Sequence, residues 1–180
     1  VVAFFAFGHA LFSGNLYVLF GEKAPTWPAL LGGLAFGGVI VGVTRLGLKA
    51  WPAVGDAGRT LSLVLGPMRR RDAIYIALAS GAAEELLFRG ALWPHLGFLG
   101  TTLLFGLVHI VPKRTLWGYP LYATACGALL GLLRHATESV LPCILAHALV
   151  NALHLIYLAD RHEAFVREES ARQARPVVLR

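Results

Sequence analysis

The sequence predicts an all-α protein: a polytopic membrane helix bundle of about six transmembrane helices, four of which form a core carrying the polar motifs. Three observations predict it. Of 180 residues, 57% are hydrophobic and only 14% charged, where a soluble domain carries about 25% charged residues. Apolar stretches recur at about 1–20, 27–48, 73–92, 96–112, 116–133 and 139–159, each close to the roughly 17–25 residues that a spanning helix needs. The basic residues, finally, fall between these stretches in a pattern that selects one orientation.

Taken in order, the first two stretches and the basic connection after them make a section over 1–72, ahead of a motif-bearing core over 73–159 and a polar tail over 160–180. Gly32-Gly33 and Gly37-Gly38 in the second stretch suit close helix packing. Residues 61–68 are apolar but too short to span, and read as an interfacial or re-entrant piece. Pro94 marks the boundary between the third and fourth spans, and Pro112-Lys113-Arg114 the turn after the fourth. The tail from Asp160 reads as an exposed helix that frays.

With the N-terminus inside, thirteen of the sixteen Lys and Arg residues fall on the cytoplasmic side and only Lys23 and Arg134 outside. The positive-inside rule selects that arrangement and a cytoplasmic tail. The net charge of +6 is dispersed along span ends. That distribution suits lipid headgroups as partners and not nucleic acid. Cys126 and Cys143 lie in apolar segments without metal-ligand spacing and read as small buried hydrophobes. The chain opens at Val1 with no basic run ahead of its first apolar stretch, which reads as a fragment without a cleavable signal.

Glu84, Glu85 and Arg89 interrupt the third span. Each charge at mid-bilayer costs roughly 2.5–3.5 kcal/mol on insertion scales. Strong apolar neighbours return only about 0.3–0.6 kcal/mol each, so the charges must meet partners inside protein. Glu85 and Arg89, at i and i+4, can pair along one face, which leaves Glu84 for other work. Depths counted at 1.5 Å per residue bring Glu84, His109, His147 and Asn151 to the middle of a core about 30 Å thick. His147 and Asn151 share one helix face, and Phe105 can wall His109 one turn away.

A carboxylate beside a neutral imidazole can deprotonate a water held between them. A second His with an Asn amide can donate to a developing oxyanion. Together these point to amide hydrolysis by an activated water. A zinc route stays open, since His109, His147 and a Glu could supply three ligands with an open fourth position. The sequence lacks the HExxH spacing of common zinc peptidases, so the metal-free route is preferred. Of the remaining histidines, His9, His95, His135 and His162 read as packing or interface residues, while His154 lies two turns beyond His147 and could line the same cavity.

EELLFRG at 84–90 fits EExxxR, FGLVH at 105–109 fits FxxxH, and HALVN at 147–151 fits HxxxN. In this order and spacing, over roughly residues 73–159, the chain resembles the CPBP family of intramembrane endopeptidases, named for CAAX proteases and bacteriocin-processing enzymes. The resemblance implies an all-helical membrane glutamate protease of the type II CAAX prenyl endopeptidase kind in a bacterial cytoplasmic membrane. It places Glu84 and His109 on the water, His147 and Asn151 in the oxyanion hole, and Glu85 and Arg89 in support. The implied substrate is a peptide or protein, prenylated or a leader peptide. Two other readings stay open: a non-catalytic peptide-binding or self-immunity protein of the same fold, and a small transporter using the carboxylates as a proton relay. The absence of an internal repeat argues against the transporter.

Overall fold

The computed structural model describes residues 23–174. The first expected span, His9, Arg175 and Arg180 lie outside them. The rest is helical: α1 over Trp27–Ala50, α2 over Pro52–Leu65, α3 over Arg70–Glu85 running into a π-helical turn over Leu86–Ala91, α4 over Trp93–Leu107, a 3-10 turn over Arg114–Leu116, α5 over Tyr119–Thr137 and α6 over Leu141–Gln173.

Local chemistry sets most of these boundaries. The Thr26 hydroxyl accepts from the Ala29 amide, 3.4 Å away, and caps α1. Pro52, Pro94, Pro120 and Pro142 each sit in a first turn, where their missing N–H costs no bond. Gly66, with φ of 75°, ends α2 in a conformation that a Cβ would strain. Gly97, with φ of 60°, breaks α4 just after Pro94.

Three described helices, Trp27–Ala50, the stretch Arg114–Thr137 and Leu141–Gln173, are long and apolar enough to cross a membrane. The third and fourth expected spans take another form. The α3 segment carries six charged residues between Arg70 and Arg89, and α4 has 15 residues, about 22 Å of rise. Large apolar side chains nonetheless stand more than half exposed: Leu31, Val43 and Leu46 on α1, Leu99 and Leu103 on α4, Leu121 and Leu132 on α5. Exposed apolar surface on so many helices suits lipid and not water. The chain is an integral membrane protein built as a helical bundle.

The bundle is organised on α6, which packs against α1, α2, α3 and α5, while α4 packs on α5. Without a hydrophobic drive between helices in lipid, backbones must approach closely enough for dispersion contacts to hold them. A Cβ built on Gly37 would lie 2.7 Å from the Ala146 carbonyl oxygen, and one on Gly33 would press on Pro142. Gly32 and Gly38, beside them, have nothing within 4 Å. Of each expected Gly-Gly pair, one glycine makes the helix contact.

Residues 61–65 are the end of α2, an amphipathic helix laid across α6. Its buried Ser62 donates to the Leu158 carbonyl at 3.1 Å, and His162 meets the same serine. The tail continues α6 and is held there: Arg59 pairs with Glu168 at 3.3 Å, Arg70 with Asp160 at 2.8 Å, and Phe165 is buried. Lys23 pairs with Glu138 at 2.9 Å, about 30 Å from Asp160 along α6. Residues that the charge pattern assigns to one side therefore meet one another. Arg134, assigned to an outer loop, is instead buried in the last turn of α5, its Nε 3.4 Å from the Arg89 carbonyl and its guanidinium over Trp93.

Gly37→Ala should lower thermal stability in detergent by roughly 1–3 kcal/mol through overpacking against α6, with Gly38→Ala near neutral. Equal effects of the two substitutions would contradict the packing account.

Candidate active site

The α3 helix loses its i→i+4 ladder after Glu85. The Leu92 amide donates to the Leu87 carbonyl at 2.8 Å, five residues back, and Pro94 follows without an amide to continue the helix. Single π turns of this kind often mark functional positions, and this one carries Arg89.

Glu85 and Arg89 are both fully buried. Arg89 Nη1 donates to Glu85 Oε1 at 2.9 Å, and Nη2 to the Gly127 carbonyl of α5 at 2.6 Å. Its guanidinium lies over Phe105, 4.7 Å from the ring centroid. The expected i,i+4 pair is present, with a third member that the sequence did not predict: His147 Nδ1 lies 2.8 Å from the same Glu85 oxygen. A carboxylate only accepts, so Nδ1 carries a proton, and His147 Nε2 turns away from Glu85.

His109 departs from its expected place inside the fourth helix. Helix α4 ends at Leu107, and His109 sits in the turn beyond it. The Phe105 carbonyl, which would otherwise accept the His109 amide, takes the imidazole Nδ1 at 2.6 Å. The amide turns to Gly106 at 3.1 Å, and Pro112 biases the chain before it away from helix. A carbonyl also only accepts, so His109 Nδ1 carries a proton and donates to it, which turns Nε2 the other way.

Both Nε2 atoms face Glu84. Glu84 Oε2 lies 3.8 Å from His109 Nε2 and 4.0 Å from His147 Nε2. That oxygen is buried and has no hydrogen-bond partner. Asn151, on the same face of α6 as His147, does not reach Glu84. Its amide donates to the Ser80 hydroxyl at 3.0 Å, one turn before Glu84 on α3. The structure thus gathers five of the six sequence-predicted residues around one carboxylate pair, and reaches Asn151 through Ser80.

Ser80, Glu84, His109, His147 and Asn151 line a cavity of about 740 Å³, within the roughly 300–1,000 Å³ range of ligand sites, while Glu85 and Arg89 lie buried behind them. Apolar residues of α2, among them Ala57, Leu61 and Leu65, close its other side. His154 lines it as well. Sequence reasoning missed Ser80 and Tyr119, whose ring centroid is 5.7 Å from that of His109. The i,i+4 spacing of Ser80 to Glu84 is a signal that could have found the first; Tyr119 has none. Among the described residues, no group of three or more His, Cys, Asp or Glu is arranged to hold a metal ion. Cys126 and Cys143 are free thiols, the first half-buried beside the cavity and the second buried.

Comparison with known proteins bears on the segment that holds this site. Residues 70–153 match the family model described as type II CAAX prenyl endopeptidase Rce1-like. The uncharacterized protein YpbD of Bacillus subtilis (strain 168) is 30% identical over 89 residues, 49% of this chain and 47% of that protein. The chain thus matches about half the length of this curated relative. No solved structure matches.

The two neighbouring glutamates should respond differently to neutralisation. Glu85→Gln strands Arg89 in the interior and should cost about 3–5 kcal/mol, whereas Glu84→Gln should change stability by less than about 1 kcal/mol. Thermal unfolding of both variants in detergent checks this, and similar melting temperatures for the two would contradict the assignment of Glu85 as the structural carboxylate.

Proposed function

Because residues 70–153 match the Rce1-like model of type II CAAX prenyl endopeptidases, we propose that this chain is an intramembrane endopeptidase that hydrolyses a peptide bond with a water activated by Glu84 and His109. The single observation that carries this reading is the buried, unbonded Glu84 Oε2 facing two imidazole Nε2 atoms at 3.8 and 4.0 Å. Those separations are too long for direct bonds and suit a water about 2.8 Å from each polar atom.

The steps follow from the hydrogen bonds. The water donates one proton towards Glu84 and the other towards Nε2 of His109, which takes part in its neutral, Nδ1-protonated form. Glu84 accepts its proton as the water oxygen attacks the scissile carbonyl, a transfer that a positioned base accelerates by about 10²–10⁴. His147, with Nδ1–H bound to Glu85, donates from Nε2 to the oxyanion in its doubly protonated form. Asn151 spends one amide hydrogen on Ser80 and keeps the other for the oxyanion. The C–N bond then breaks, and the proton held on Glu84 passes to the departing amine. No step calls on a metal.

Glu85 and Arg89 position this machinery and do not touch the substrate. Ser80 does the same for the Asn151 amide. The substrate is a peptide or protein segment that enters the apolar cavity, with the polar tail on the cytoplasmic side. In support of that sidedness, the basic residues of α2 and the start of α3 meet the tail at one end of the bundle.

Purified protein should cleave members of a peptide library, and Glu84→Gln or His109→Ala should lower kcat by about 10²–10⁴ with the fold intact. Asn151→Ala should lower kcat by about 10²–10³, and Ser80→Ala by less. Chelator should leave cleavage unchanged. Full proteolysis by both Glu84→Gln and His109→Ala would overturn the reading, and activity lost to chelator and restored by zinc would overturn the metal-free route.

A further inference from the structure

The cavity wall carries a second polar set, which the proposed hydrolysis does not use. From His109 an aromatic row runs along it. Tyr119 lies 5.7 Å from His109, Tyr122 is 6.3 Å from Tyr119, and His154 is 6.4 Å from Tyr122, centroid to centroid. Within it the Tyr122 hydroxyl bonds the Thr44 hydroxyl of α1 at 3.1 Å. His154 Nε2 is buried without a hydrogen-bond partner. Thr44, Tyr122 and His154 all line the same cavity as Glu84, His109 and His147.

A buried ring nitrogen left unpaired costs roughly 1–3 kcal/mol, so its retention in an otherwise apolar wall calls for a partner that arrives with a ligand. His154 follows His147 by seven residues on α6, about 10.5 Å of rise on nearly the same helix face. An extended peptide advances roughly 3.3–3.6 Å per residue. That separation corresponds to about three residues.

We propose that His154, beside Tyr122, is a substrate-binding residue that hydrogen-bonds a main-chain amide of the bound peptide about three residues from the scissile bond. This deepens the endopeptidase reading and rests on it. The cavity then holds an extended strand at two polar points, the catalytic cluster and His154, with aromatic and aliphatic contacts between. The His154 subsite selects for peptide length on that side of the cleaved bond, not for a particular side chain.

The test uses the full chain in detergent and two series of fluorescent peptides, cleavable ones and the same sequences cut to two residues beyond the bond. Each long peptide is also made with single main-chain amides replaced by esters. His154→Ala should raise KM for long peptides about 5–10-fold, the worth of one hydrogen bond, with kcat within twofold, and His154→Gln should recover most of the loss. The ester about three residues from the bond should weaken wild-type binding by a similar factor and add nothing in His154→Ala. Equal losses on long and cut peptides, a fall in kcat at constant KM, or no effect of His154→Ala would overturn the proposal. Binding measured in parallel with Glu84→Gln separates the two readings. Length-dependent binding through His154 without cleavage by the parent defeats only the endopeptidase reading. Cleavage without that dependence defeats only the subsite, and the absence of both binding and cleavage defeats both.

Discussion

One carboxylate oxygen organises the site. Glu85 Oε1 accepts from Arg89 on its own helix and from His147 on α6, and none of the three side chains is more than slightly exposed. A buried charge without a partner is among the costliest defects a helix bundle can carry, so each member holds the others in place. Arg89 also ties the π turn to the Gly127 carbonyl of α5. Three helices are thereby joined at one depth, and the direction of the His147 ring follows. Glu84, one residue earlier, points to a different side and keeps an oxygen free.

The packing that makes this possible is backbone packing. Helix α6 can receive α1 and α3 closely because Gly33, Gly37 and Gly81 present no side chain to Pro142, Ala146 and Ala148. Those contacts bracket His147. The lipid-facing sides of the same helices contribute nothing to the site and are free to stay apolar, which is why the composition reads so plainly as membrane while the chemistry is concentrated in a few positions. Helix α2 and the continued α6 give the cavity its remaining wall, fastened by ion pairs beyond the apolar segment.

Much of this was legible in the chain, for identifiable reasons. Charge inside an apolar stretch is so costly that Glu84, Glu85 and Arg89 had to be explained together, and i,i+4 spacing paired two of them correctly. Periodicity likewise placed His147 and Asn151 on one face. What periodicity cannot supply is the partner across a helix interface. The His147–Glu85 bond, the Ser80–Asn151 bond and the burial of Arg134 are all tertiary. His109 fell outside its expected helix because a side chain outcompeted a backbone amide for the Phe105 carbonyl, a contest that hydropathy does not register. The apolar 61–68 segment hid the end of α2 because an amphipathic helix lying on another helix is shorter and more polar than a span.

The central claim is that Glu85 holds His147 by Nδ1 and so turns Nε2 to the free oxygen of Glu84. It is tested most directly by ¹⁵N NMR of histidine-labelled protein in detergent micelles, with the His147 resonances assigned by substitution. The account predicts a protonated, strongly hydrogen-bonded Nδ1 on His147, perturbed when Glu85 is replaced and unmoved when Glu84 is. A His147 ring with its only proton on Nε2, or one insensitive to Glu85, would contradict it.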